Sequence, residues 1–321
     1  MRIGVFSTFM SPNATPQMIR DFGQRAEGMG LDSIWMGEHV VLFDKQTFGY
    51  PGSTDGRIPV PPGGGLLDVT ATFGFLAAAT TQLRLGTGVA LVPQRNPIYT
   101  AKEVCTLDWL SGGRIDFGIG VGWNKEEVEI CGYRWEDRGA RCNEFLEVMR
   151  RLWTEPGVTF AGQFFRLDGA TMMPKPLQQP HPPLWFGGHH PDALRRAVVL
   201  AAGFMGAGSA STATFAEEAV LLRRLCGESG RDPATLDVGK RVYVAIDRDR
   251  DRAGRRLAQW FGAFYGRPAL AAEVSVWGSS DEVAEGLRAV VAAGARLLML
   301  NPVFDELEHL EAFAAEIATR L

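Results

Sequence analysis

Several short segments of the sequence combine groups able to move protons or hold anions with glycines that expose backbone. Trp35-Met36-Gly37-Glu38-His39 sets a carboxylate beside an imidazole. An imidazole titrates near neutrality and can hold or pass a proton; the plainer alternative is a histidine that hydrogen-bonds a loop. Leu85-Gly86-Thr87-Gly88-Val89-Ala90 places glycines where a strand would carry side chains, as at a bulge or where a ligand lies against backbone. Phe117-Gly118-Ile119-Gly120-Val121-Gly122-Trp123-Asn124 alternates glycines, but Trp123 stands where a dinucleotide fingerprint needs its third glycine. A Rossmann reading is therefore rejected. A tight strand-to-helix turn and a wall for a flat ring remain as alternatives. Trp185-Phe186-Gly187-Gly188-His189-His190-Pro191-Asp192 leads through two glycines into a helix start, where free N–H groups and the positive helix end suit a phosphate. Ala207-Gly208-Ser209 could complete that cradle.

Other chemistries find no support. His189 and His190 are adjacent, so in such a turn they point apart, and no partner stands at ligand spacing. No metal is expected. The sequence contains no G-x-S-x-G elbow, no G-x-x-x-x-G-K-[ST] loop and no H-E-x-x-H. Cys105, Cys131, Cys142 and Cys226 form no C-x-x-C pair and read as reduced thiols. A net charge of -4 gives no basic field for nucleic acid or an anionic membrane.

These segments must be held by a scaffold. The 321 residues, 46% hydrophobic and 22% charged, suit one large globular domain over 1–321. Short apolar runs at Arg2 to Ser7, Ser33 to Met36, Leu83 to Ala90, Arg114 to Ile119, Leu184 to Phe186, Phe204 to Met205, Val238 to Ala245 and Arg296 to Leu300 alternate with capped helical patterns. Eight such units predict a (β/α)8 TIM barrel with insertions, whose usual size is about 250 residues and upward. Residues 40–67 lose periodicity and read as a lid loop; 153–183 read as an insertion containing a hairpin. The amino terminus resembles no signal peptide and no apolar run has transmembrane length, so a cytoplasmic protein is expected. Reacting groups in such barrels lie where strands end.

Gly37-Glu38-His39, Arg84-Leu85-Gly86-Thr87-Gly88-Val89, Thr106-Leu107-Asp108-Trp109-Leu110-Ser111-Gly112-Gly113-Arg114, Gly118-Ile119-Gly120-Val121-Gly122-Trp123 and Trp185-Phe186-Gly187-Gly188 together resemble the luciferase-like monooxygenase superfamily, within it the branch of F420-dependent oxidoreductases. The resemblance implies a barrel whose strand ends hold the deazaflavin F420, with FMN as the alternative, and a non-prolyl cis peptide at Gly88-Val89. It implies His39 as proton donor or acceptor with Glu38 orienting it. Gly86, Thr87, Gly88, Val89, Gly120, Val121, Gly122 and Trp123 would flank the ring, while Gly187, Gly188, His189 and Gly208 would receive the phosphate. Phe9, Phe43, Trp123 and Asn124 would meet the substrate. Lys45, Arg57 and Arg95 are candidates for the cofactor's anionic tail. Leu107 to Arg114 would be structural, an Asp-to-Arg tie between helix and strand.

One departure stands out. The F420-dependent sugar-phosphate dehydrogenases of this superfamily carry an acidic residue just after the glycine-rich strand end, where this chain has Trp123-Asn124. A bulkier, apolar organic substrate stacked on Trp123 is expected instead. The resulting expectation is hydride transfer between F420 and a small organic molecule. The rivals are an FMN-dependent monooxygenase using O2 and a non-catalytic flavin-binding barrel; a homodimer is left open.

Overall fold

Each apolar run is followed by a helix with its own start signal, which lets the strands lie parallel and the helices cover them. The computed structural model describes residues 1–43, 49–50, 53–54, 56, 58, 60 and 63–321. In chain order the elements are β1 (Arg2–Phe6), α1 (Pro16–Gly28), β2 (Ser33–Met36), α2 (Val69–Ala79), β3 (Arg84–Thr87), β4 (Ala90–Leu91), α3 (Pro97–Ser111), β5 (Ile115–Gly120), α4 (Lys125–Ile130), α5 (Arg138–Thr154), β6 (Val158–Ala161) and β7 (Arg166–Ala170). The second half contributes β8 (Leu184–Gly187), α6 (Pro191–Leu200), β9 (Gly203–Gly206), α7 (Thr212–Ser229), β10 (Asp237–Ile246), α8 (Arg250–Tyr265), α9 (Leu270–Val274), β11 (Ser275–Gly278), α10 (Ser280–Ala292), β12 (Leu297–Asn301) and α11 (Glu306–Glu316).

Parallel pairing runs β1–β2–β3–β5–β8–β9–β10–β12 and returns to β1, closing the (β/α)8 barrel that the sequence predicts. The short β11, which the sequence pattern does not reveal, adds to β10 outside the ring, and β6 pairs with β7 as a separate antiparallel hairpin. Local signals set the helix starts: Thr15 caps α1 ahead of Pro16, Asp68 caps α2, Asn96 caps α3, and Ser279 with Glu282 forms a capping box on α10.

The barrel interior is filled by indoles. Trp35 and Trp185 are fully buried and meet edge to face at 5.3 Å, surrounded by Phe6, Met205, Leu297 and Met299. Room for them comes from glycines on neighbouring strands: a Cβ on Gly86 would lie 2.4 Å from Trp35, and one on Gly203 2.4 Å from Trp185. The Thr87 hydroxyl, buried on the outer face of the barrel near α2 and α3, donates to the Gly118 carbonyl at 2.6 Å. Gly86 and Thr87 are therefore packing residues of the barrel and do not line a ring site, contrary to expectation.

The Leu107 to Arg114 element is structural, but its tie is different from the one expected. Arg114 donates to the Ala77, Thr80 and Leu83 carbonyls at 2.9, 3.1 and 2.6 Å and to the Ser111 carbonyl at 2.5 Å. The last carbonyls of a helix have no intrahelical donors, and a guanidinium supplies several at once. Asp108 instead accepts from the Gln178 backbone N–H and side-chain amide at 2.9 and 2.8 Å, joining α3 to the segment that enters β8. At the same end of the barrel Arg84 pairs with Asp116 through two bonds, and Arg2 pairs with Asp237.

Arg114→Met would leave those carbonyls buried without donors. Denaturant unfolding is expected to show a loss of about 3 kcal/mol or more. A loss under about 0.5 kcal/mol, the size of an ordinary surface change, would contradict this role.

Candidate active site at the barrel mouth

The β3 strand is followed by Gly88 and Val89, and the peptide between them is cis. The Val89 side chain projects into the centre of the mouth, where a Cβ on Gly120 would approach it to 2.4 Å and one on Gly187 to 2.9 Å. These glycines thus make room for Val89. Gly120 is buried behind it, while Val89 is half-exposed and forms an apolar floor packed against Gly120 and Gly187. The flat surface at the mouth belongs to this side chain more than to the glycine backbone.

His39 lies at the edge of that floor, at the end of β2. Its Nδ1 is 2.8 Å from Glu127 Oε2, and the Trp123 indole N–H points at its Nε2 from 3.4 Å. Glu127 is wholly buried and also accepts the Val40 backbone N–H at 2.6 Å. Burial works to raise its pKa, but the hydrogen bond and charge of His39 and the Val40 N–H outweigh that and hold it below the usual carboxylate range. A carboxylate on Nδ1 fixes the neutral imidazole with its proton there and leaves Nε2 as the acceptor. Asn124 takes part from below: it is buried, caps α4, and accepts the Glu127 N–H at 3.2 Å. It is therefore a positioning group and not the substrate contact the sequence reading made of it.

Glu38 does not orient His39. Its carboxylate accepts the Leu91 backbone N–H at 2.6 Å and the Arg95 Nε at 2.9 Å, tying β2 to the turn after β4. Arg95 is in turn held by Glu103 at 2.9 Å, so it is engaged by carboxylates and not held out for an anionic tail. The adjacency of Glu38 and His39 in sequence is misleading because consecutive residues leave a strand end in opposite directions. The partner of the imidazole comes from 88 residues downstream. The Asn-x-x-Glu spacing of Asn124 and Glu127 is a capping-box pattern, a sequence signal for a first-turn glutamate but not for its contact with His39.

Other candidates divide in the same way. Phe9 is 1% exposed and packs edge-on against Phe22 in the helix–strand core, so it has no surface to offer a substrate. Phe43 is half-buried at the start of the 40–67 segment. Lys45 and Arg57 lie outside the described residues. Tyr50, from the same segment, meets Trp123 edge-on at 5.2 Å and stacks on Tyr265 at 5.7 Å, so its ring bridges the residues after β5 and the end of α8.

On the far side of the floor, Gly187 and Gly188 are half-buried and His189 is exposed. His189 Nδ1 lies 3.0 Å from Glu218 and Nε2 3.3 Å from the Ser209 hydroxyl, linking the starts of α6 and α7. His190 caps α6 itself, its Nδ1 accepting the Asp192 N–H. Gly208 is buried, with Tyr243 and Arg241 where its Cβ would stand, so it supports the cradle from beneath. Beneath the same loop Lys240 donates to the Ala207 and Arg241 carbonyls at 2.7 Å each, and burial pushes its pKa down to about 7. Among the described residues no three His, Cys, Asp or Glu side chains are arranged to hold a metal ion, and no helix is long and apolar enough to cross a membrane.

The third side of the mouth, which the sequence does not single out, is formed by β1, β10, β12 and α11. Glu306 accepts the Ser7 hydroxyl at 3.0 Å, and burial raises its pKa to about 7 despite that bond. Arg241 and Asn301 stand beside it around a cavity of about 350 Å³.

A closed parallel barrel with an imidazole, buried carboxylates and two helix starts gathered at the ends of its strands is a TIM-barrel protein of the luciferase-like kind. The chain belongs to the luciferase-like monooxygenase family, whose sequence model matches residues 1–275. An uncharacterized Mycobacterium tuberculosis protein is 35% identical over 162 residues, 50% of this chain and 57% of that relative, so the match spans little more than half of it. An F420-dependent glucose-6-phosphate dehydrogenase of Kineococcus radiotolerans is 28% identical over 249 residues, 76% of this chain and 68% of that protein. An FMNH2-dependent dimethylsulfone monooxygenase of Pseudomonas putida is 36% identical over 116 residues, 35% of this chain and 32% of that one. The structure of an F420-dependent secondary alcohol dehydrogenase in complex with an F420-acetone adduct superposes with a TM-score of 0.81 at 22% identity, covering 100% of this chain and 99% of that one. At that identity the likeness is one of fold.

The raised Glu306 pKa has a consequence for stability. The folded chain binds this proton more tightly than the unfolded one, so stability is fully present below about 4.5 and falls as pH rises through about 7. Glu306→Gln is expected to be more stable than the native sequence at pH 8, by up to about 3 kcal/mol. The difference should vanish near pH 4. Thermal unfolding across that range measures it, and a constant difference between the two proteins at all pH values would rule it out.

Proposed function

We propose that the chain is an oxidoreductase that transfers a hydride between F420 and a small organic substrate, with His39 handling the proton that accompanies it. The observation that carries this reading is the Glu127–His39 pair at the rim of the Val89 floor. Bound F420 would supply the hydride chemistry, with its deazaflavin ring against Val89 and its phosphate towards Gly188 and His189.

The protein's part is proton management. With its Nδ1 proton held by Glu127, the imidazole keeps a basic Nε2 that among the described residues meets only the long contact from Trp123. It can accept a proton from an alcohol or, once protonated, return one to a carbonyl. The buried negative charge of Glu127 stabilises the imidazolium that forms in between. The Tyr50 and Trp123 rings over this edge limit water access, which strengthens each of these interactions. Similarity to the Kineococcus radiotolerans dehydrogenase favours F420 as the carrier. The FMN reading draws on the Pseudomonas putida monooxygenase, whose match covers a smaller share of this chain.

Titrating the purified protein with F420 and with FMN, read by fluorescence and absorbance, separates the two. F420 is expected to bind; stoichiometric FMN binding with no F420 binding would overturn the assignment. With cofactor bound, His39→Asn should slow single-turnover hydride transfer by about 10²- to 10⁴-fold with cofactor affinity largely kept. Glu127→Gln should slow it less and shift its pH profile. An unchanged rate in His39→Asn would remove this residue from the mechanism.

A further inference from the structure

The third side of the mouth holds a cation whose charge is not met by a carboxylate of any described residue. Arg241 follows Gly239 by two residues on β10, and Gly239 faces Trp185 and Met299 in the barrel interior, so strand alternation turns Arg241 inward as well. Its Nε donates to Asn301 Oδ1 at 2.7 Å. The Asn301 amide is itself locked, giving its N–H groups to the Phe6 and Pro302 carbonyls at 3.0 and 3.2 Å. The guanidinium lies 3.8 Å over the Phe6 ring and 5.0 Å from the Tyr243 ring. These contacts fix its plane and leave the Nη edge without a hydrogen bond to any described residue.

Its situation differs from that of the arginines that carry a carboxylate, and from that of Arg114, whose guanidinium is filled by backbone carbonyls. Arg84 has Asp116, Arg95 has Glu38 and Glu103, and Arg2 has Asp237, whereas Arg241 has no ion-pair partner among the described residues. Holding a half-buried guanidinium rigid without a counter-charge is unfavourable unless a ligand brings one. The cavity beside it, about 350 Å³, is large enough for a small aromatic acid and is walled by Met10, Trp260 and Phe264, the last two stacked at 4.5 Å and 12°. Thr8 and Glu306 add polar groups to the same wall. Phe6 separates Arg241 from Gly88: a Cβ there would be 2.7 Å from that ring. The cation is thus one ring away from the Val89 floor.

We propose that Arg241 is the anchor for a substrate carboxylate, and that the substrates of this enzyme are flat, apolar acids whose body lies along Trp260 and Phe264. The planar fork of a guanidinium matches both oxygens of a carboxylate, and Asn301 and Phe6 present that fork already oriented. Anchoring the acid here leaves the rest of the molecule to reach over Phe6 towards Val89 and His39. The catalytic use of this subsite rests on the redox reading above; the binding itself does not.

The test uses the full chain with and without F420, trans-cinnamate as the planar acid, and methyl cinnamate as its neutral counterpart, with binding followed by calorimetry. Cinnamate is expected to bind the native protein, and to bind Arg241→Met about tenfold or more weakly, with methyl cinnamate little affected by the change. Arg241→Lys should fall between, because it keeps the charge and loses the fork. Equal binding of cinnamate to the native and Met proteins, or no preference for acid over ester, overturns the proposal. If Arg241→Met loses F420 affinity instead, the arginine serves the cofactor and the proposal is likewise overturned. Should Arg241→Met fail to fold, Arg241→Lys and Arg241→Gln carry the same comparison. Cinnamate binding that depends on Arg241 in a protein that binds no F420 would leave the subsite standing and remove only the cofactor assignment. F420 binding without acid discrimination would do the reverse.

Discussion

The constraint on which the structure depends is volume inside the barrel. Two indoles, Trp35 and Trp185, occupy a ring of eight strands, and each is accommodated only because a neighbouring strand carries glycine where it faces the ring. The same exchange recurs one layer higher, where Gly120 and Gly187 give way to Val89. Large side chains on some strands and hydrogen atoms on others raise a packed interior to the level of the strand ends, so the mouth has a solid apolar floor and not a pore. Val89, which the sequence presents as one more residue beside glycines, is the side chain that all of this supports.

Charges are arranged with few left over both beside that floor and at the opposite end of the barrel, where Arg84, Asp116 and Gln178 lie. Glu38 closes onto Arg95, Asp116 onto Arg84 and Asp108 onto Gln178, each fixing a strand end or a connecting segment. Buried charged groups that satisfy one another rigidify the scaffold. Against that background three groups stand out: the Glu127–His39 pair, the protonatable Glu306, and Arg241. They come from four different strand-to-helix units and meet only because the barrel brings all strand ends to one face.

Stacked and edge-on aromatic rings connect these groups across the mouth. Trp123 meets His39 on one side and Tyr50 on the other; Tyr50 stacks on Tyr265, whose hydroxyl bonds that of Tyr243 at 2.7 Å, beside Arg241. Tyr50 is thereby fastened to α8.

By itself the sequence determined the barrel, because that depends on local periodicity: eight apolar runs, each followed by a capped helix, leave few other ways to bury their faces. It also marked His39 and the glycine-rich helix starts as candidates, and the family resemblance carried by its motifs implied the cis peptide between Gly88 and Val89 that the structure has. Only the tertiary structure decided which carboxylate serves the imidazole, since Glu127 approaches from α4 while the adjacent Glu38 turns to Arg95. It likewise decided that Gly86, Thr87, Gly120 and Gly208 pack against protein, that Asn124 is a cap, and that Arg241 and Glu306, 65 residues apart, share a cavity. Side-chain direction at a strand end and pairing between distant strands are set by closure of the ring, and no local pattern encodes that closure.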